Sequence, residues 1–139
     1  MLLIALGWVA VFAVAAWLKP YGPDGEPLRM ETHRQLGLLP CTFKYYTGLP
    51  CPSCGMTTSF SLLIHGDLIN SLRANAVGTF LAVIGLLFVP WSVACVIARR
   101  YFFIASLELA LLKVVIAFVT LMILRWVLVI ALIWWNGWV

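Results

Sequence analysis

Between Ala76 and Ala98 the chain runs through 23 consecutive residues without a single charged side chain. A helix crossing a hydrocarbon core of about 30 Å needs about 20 such residues. A second long apolar stretch covers Leu107 to Trp135, and a third covers Met1 to Leu18 and stops at Lys19-Pro20. Composition agrees with this pattern. Of 139 residues, 64% are hydrophobic and 10% charged, against about 25% charged in a soluble domain. Polar surface on that scale is too sparse to cover a globule, so lipid is the expected solvent. The predicted fold class is an all-α integral membrane protein in one domain. It has three transmembrane helices, at about 1–18, 76–98 and 107–135, and a short membrane-surface helix after a Cys-x-x-Cys turn.

The first stretch is near the minimum spanning length. A signal peptide would carry a basic n-region and a small-x-small cleavage site. Neither is evident, so a retained helix is expected, with Trp17 and Tyr21 at the interface. Residues 19–55 form a polar cysteine loop. Tyr21 to Pro27 is rich in chain breakers, His33 to Leu39 suits a helical turn, and Cys41 to Pro50 reads as extended chain. Met56 to His65 forms the surface helix, with Phe60, Leu63 and Ile64 on one side and Thr57, Thr58, Ser59 and Ser61 on the other. Gly66 is placed to end it and Asp67 to cap the next helix. That next helix runs about 30 residues, roughly 45 Å, so its first two turns should stand above the hydrocarbon core. Pro90 should kink it.

Three spans place the termini on opposite sides. The raw Lys and Arg count favours a cytoplasmic cysteine loop, whereas Arg99-Arg100, directly at a helix end in a short connection, favours the reverse. The net charge of +4 is spread along the chain and forms no block suited to nucleic acid. It fits anchoring at anionic headgroups.

Chemistry should concentrate at Cys51-Pro52-Ser53-Cys54-Gly55. Two residues between thiols let both sulfurs face one point about 2.3 Å from a tetrahedral Zn²⁺. Pro52 fixes a φ angle, and Gly55 permits a positive one. A zinc ribbon would need a second such pair, and none is present. A four-ligand site would recruit Cys41 and a histidine, His65 or His33. Three other states suit the same residues. Cys51 and Cys54 can cycle between dithiol and disulfide at a helix N-terminus that lowers a thiol pKa. Cys41 can bridge to one of the pair in an oxidising compartment. The thiols can also stay free and only shape the turn. Cys95, alone in an apolar run, reads as a small hydrophobe.

Other polar residues have plainer readings. His65-Gly66-Asp67 can join an imidazole to a carboxylate for proton transfer, but it reads more simply as a helix stop followed by a cap. The hydroxyls of residues 57–61 would normally bond to local backbone. Arg125 is an intramembrane charge, a functional candidate by default. Glu108 and Lys113 lie too far along the helix to pair with it easily, since even Lys113 is 12 residues away, about 18 Å. Asp67, the C-terminal carboxylate, snorkelling or a second chain remain as its partners.

Taken together, Gly48-Leu49-Pro50-Cys51-Pro52-Ser53-Cys54-Gly55-Met56-Thr57-Thr58, then His65-Gly66-Asp67 and Asn75, resemble the membrane proteins catalogued as domain of unknown function 2752. The resemblance spans roughly residues 40–98. The family pattern is Cys-Pro-x-Cys-Gly-x-Thr, His/Arg-Gly-Asp and Asn-Pro, with an upstream cysteine like Cys41. It implies a bacterial integral membrane protein and no established activity. It also marks Pro52, Gly55, Thr57, Gly66, Asp67 and Asn75 as structural motif residues. This chain departs from the pattern at Thr58, where an arginine is usual, and at Asn75-Ala76 in place of Asn-Pro.

The expected function is a small membrane subunit or binding module whose cysteine turn is a structural knuckle able to hold a metal such as Zn²⁺ through Cys41, Cys51, Cys54 and His65. Three spans make a poor transport path, so a homo-oligomer or other membrane subunits are expected as partners beside the bilayer. The alternative is a membrane thiol oxidoreductase acting through Cys51 and Cys54.

Overall fold

The computed structural model describes residues 2–99 and 106–136. Arg100, the connection 101–105, Trp138 and the C-terminal carboxylate, with the expectations attached to them, lie outside those residues. The described chain is helical, with one isolated bridge between Tyr21 and Pro27 and no strands. Its elements are α1 (Leu2–Trp17), a 3₁₀ turn (Thr32–Leu36), α2 (Thr42–Thr47), α3 (Met56–Ile64), α4 (Leu68–Ala98) and α5 (Leu107–Trp135).

Two of these, α4 and α5, are long and apolar enough to cross a membrane. At 16 residues, α1 is apolar but shorter. The stretch from Cys41 to Pro50 is not extended. It forms the short helix α2, which ends where Gly48 takes a left-handed conformation and donates to the Lys44 carbonyl. Apolar and aromatic spacing over so few residues does not separate strand from helix.

α3 does not lie exposed on a surface. Thr58, Ser59, Phe60, Ser61 and Leu62 are all buried, wedged between α1 and α4. Phe60 stacks with Trp8 and Phe12, and Trp8 stands over Gly85 of α4, where a Cβ would meet the indole at 2.4 Å. The α3 hydroxyls act between elements as well as locally. Ser61 donates to the Leu18 carbonyl at 3.0 Å, and Thr58 shares a 2.7 Å bond with Thr32. Ser71 donates to the Ser59 carbonyl at 2.7 Å. Every buried side-chain nitrogen and oxygen among the described residues has a partner. Where apolar surface is already solvated by lipid, such small-residue contacts and polar bonds hold helices together.

Gly66 (φ 84°) closes α3. Its N–H reaches the Leu63 carbonyl and the Asp67 N–H reaches that of Leu62, the paired bonds of a Schellman stop. Asp67 then caps α4 by accepting the Asn70 N–H at 3.1 Å.

α4 is two helices joined at one residue. Asn75 has extended backbone (φ −159°, ψ 100°) inside it. The bend brings Ser71 and Thr79 within 2.7 Å, although eight residues of straight helix would separate them by about 12 Å. The departure from helical backbone is therefore at Asn75, while Pro90 is carried inside the helix. From Ala76 to Ala98 the helix measures about 34 Å, long enough to cross a hydrocarbon core of about 30 Å.

Candidate functional site

The cysteine turn is built onto the break at Asn75. The Asn75 Nδ2 donates to the Cys54 carbonyl at 3.1 Å. Its Oδ1 accepts the Gly78 N–H at 3.0 Å, the bond an N-cap makes to the third residue of a helix. Asn75 thus starts the long apolar part of α4 and ties it to the thiols. Gly55 is pressed into the same junction. Its φ is +82°, and a Cβ there would lie 2.6 Å from the Ala74 carbonyl oxygen and 2.9 Å from that of Arg29. Only glycine satisfies both constraints.

From the other side, α5 holds the turn with two consecutive residues. Arg125 Nη2 donates to the Ala74 carbonyl at 3.2 Å, and Trp126 Nε1 donates to the Pro50 carbonyl at 2.8 Å. The Trp126 ring also meets Phe43 of α2 edge to face at 6.0 Å. Among the described residues, Arg125 therefore pairs with neither Asp67 nor a second charge. The helix break exposes carbonyls at the negative end of a short helix, and these attract a cation. Leu107 to Arg125 spans about 27 Å along α5.

Within this frame the ligating atoms of Cys41, Cys51 and Cys54 lie within 4.8 Å of one another. A tetrahedral ion with sulfurs at about 2.3 Å separates them by about 3.8 Å, so only small side-chain adjustments would converge them. Cys51 and Cys54 sulfurs are 3.0 Å apart. The Cys51 N–H also donates to the Cys54 sulfur at 3.2 Å, and Ser53 Oγ lies 3.4 Å from the Cys51 sulfur. Such bonds orient and stabilise thiolates.

The two thiols of the pair are unequal. Burial acts to raise Cys51, but hydrogen bonds from Cys54, Ser53 and Cys41 outweigh it and hold it below the usual thiol value. Burial, reinforced by the neighbouring Cys51, pushes Cys54 up to about 12. Cys51 is therefore the more acidic thiol of the pair.

The thiols line a cavity of about 370 Å³ with Met30, His33, Glu31, Lys44, Met56 and Thr58. His65 is elsewhere: its Nδ1 lies 2.8 Å from the Ser61 carbonyl at the end of α3. Of the four ligand candidates, the structure gathers the three cysteines and replaces His65 with His33 as the histidine facing the cavity. Thr57 lines that cavity too, while Gly66 closes α3 and Asp67 caps α4. Sequence reasoning missed Met30 and Met56. Met30 lies in a loop more than ten residues from any cysteine, with no spacing signal to mark it. Thr58, bonded to Thr32, fixes the 3₁₀ turn that carries His33.

Comparison with known proteins bears on this region. A family model described as "Protein of unknown function (DUF2752)" matches residues 41–89. The DUF2752 segment thus begins at Cys41, takes in the Cys51–Cys54 turn and Asn75, and ends inside α4. Arg125 and Trp126 lie outside it, as do His33 and Met30. No curated protein and no solved structure matches the chain.

Proposed function

We propose that this protein is a small membrane subunit or binding module that holds a metal ion on its cysteine turn, at the boundary between the bilayer and the polar loop. The observation that carries this reading is the convergence of three sulfurs from two separate segments within 4.8 Å. Cys41 precedes α2, while Cys51 and Cys54 precede α3. Free thiols that merely shape a turn have no need of a distant third cysteine. Three thiolates suit thiophilic ions, zinc among them.

On this reading α1 is the third span, and the protein resides in a bacterial membrane. α5 supports a place in a homo-oligomer or a larger complex, because none of its apolar window is buried by the rest of the chain. Elemental analysis of protein purified in detergent tests the core of the proposal. About one thiophilic ion per chain is expected, and Cys41→Ser should lose it as fully as Cys54→Ser. Absence of metal after purification and after reconstitution with thiophilic ions would sink it.

A second reading has its own support. A lowered Cys51 beside a raised Cys54, with sulfurs 3.0 Å apart, suits thiol–disulfide exchange with a disulfide-bearing partner. The Cys51 thiolate attacks one partner sulfur and the other leaves as a thiolate. Cys54 then loses its proton, resolves the mixed disulfide, and the partner departs as a dithiol. Differential alkylation that finds the pair reduced under every condition would exclude this reading.

A further inference from the structure

The cavity in front of the thiols is lined by an unusual donor set. Beside Cys41, Cys51 and Cys54 its walls include Met30, Met56 and His33. Five of these six side chains offer sulfur. The one carboxylate lining the cavity, Glu31, is already engaged by Lys44 Nζ at 3.2 Å and by Arg34 Nη1 at 3.2 Å, so a hard, oxygen-seeking cation finds no free anionic oxygen there. Lys44 also lines the cavity and its charge offsets that of thiolates. Soft thiolate and thioether donors suit copper(I), zinc and iron–sulfur clusters, and of these ions copper(I) is the softest and the best matched to an uncharged thioether.

We infer that this cavity is a site for a soft monovalent cation of the copper(I) class, bound by the thiolates of Cys41, Cys51 and Cys54, with Met30, Met56 and His33 as the further donors around it. The inference rests on the metal-holding reading above and names the ion it serves. Each thiol that binds releases its proton to solvent, and no electron is transferred. The methionines have a packing role to weigh against this. Met56 stands against α4, its Cγ 3.2 Å from where a Gly78 Cβ would be, and methionine is a common gap-filler. Met30 is the sharper indicator, because it lies in the loop before the 3₁₀ turn and is not among the residues packed on the Ala15–Phe60–Ala82 cluster that Met56 joins.

The test uses the full chain in lipid nanodiscs under anaerobic, reducing conditions. Copper(I) is titrated against the chromophoric competitor bicinchoninate, and zinc against a zinc chelator. The wild type should retain one copper(I) against excess competitor, and equimolar zinc should not displace it. Met30→Leu and Met56→Leu conserve volume. They should weaken copper(I) about 10- to 100-fold, as loss of supporting donors does, and leave zinc affinity unchanged. Silver(I), which does not change redox state here, gives a second readout in protein labelled at methionine methyls. Of the four methionines, the Met30 and Met56 signals should shift on addition of silver, with Met1 and Met122 unmoved. Zinc binding with no methionine effect on copper(I) and no methyl shift would overturn the inference and leave the metal-holding reading standing. Failure to bind either metal would end both.

Discussion

The side-chain amide of Asn75 donates to the carbonyl of Cys54 at 3.1 Å while its oxygen caps the long apolar part of α4. One residue thus fixes both the place of the thiols and the start of a span. Substitution by alanine removes the cap, worth about 1 kcal/mol, and strands the Cys54 carbonyl. Asn75→Ala should therefore destabilise by about 2 kcal/mol and weaken metal binding. Asn75→Asp keeps the cap acceptor and should fall between the two. Thermal unfolding in detergent, followed by circular dichroism, checks the order.

The same geometry makes Ala76 the first helical residue. Proline is favoured there, and the residue before a proline prefers the extended backbone that Asn75 already has. Ala76→Pro should be neutral or slightly stabilising. In a continuous helix the change would cost about 3 kcal/mol, so a loss of that size would refute the break. The Asn-Ala of this chain, in place of Asn-Pro, then leaves the device intact.

Gly55→Ala meets two obstacles, a φ of +82° and a carbonyl oxygen 2.6 Å from the new Cβ. The left-handed conformation alone costs a non-glycine residue about 1–2 kcal/mol, and the contact forces Cys54 away from Ala74. The variant should lose at least about 2 kcal/mol and most of its metal affinity. An unchanged melting curve would contradict the close approach.

The unequal thiols give a pH signature in the metal-free protein. Cys51 is held low, so its thiolate persists as pH falls below the ordinary thiol value of 9.0. The stability it contributes is present above that value and is lost as pH falls through the folded one. Cys54 runs the other way. Its thiol form is favoured, and that contribution is present below 9.0 and fades as pH rises toward about 12. Iodoacetamide at pH 8 should label Cys51 first, as read by peptide mass spectrometry. Earlier labelling of Cys54 would reverse the assignment.

Trp126→Phe deletes the bond to the Pro50 carbonyl and keeps the ring that meets Phe43. The expected cost is about 1 kcal/mol, with a larger effect on metal retention than a change on the lipid face such as Leu128→Ala. Equal metal retention in the two variants would show that α5 does not support the turn.

Much of the helical framework is legible in the sequence because lipid imposes a one-dimensional rule. Long uncharged runs must become helices, whatever they pack against, and Gly66-Asp67 ends one helix and caps the next through strictly local bonds. The pairing of Cys51 with Cys54 follows equally from spacing. What only the tertiary structure decided is convergence. α2 formed where Cys41 to Pro50 reads as extended, Asn75 broke a run that reads as one helix, and Arg125 bonds to the Ala74 carbonyl, a backbone partner that the sequence does not mark. Met30, His33 and Cys41 reached the thiol pair through a loop held by the buried Thr32–Thr58 bond. Contacts between residues far apart in sequence depend on how the loop closes. No periodicity records that closure, so the contents of the cavity belong to the fold and not to any stretch of the chain.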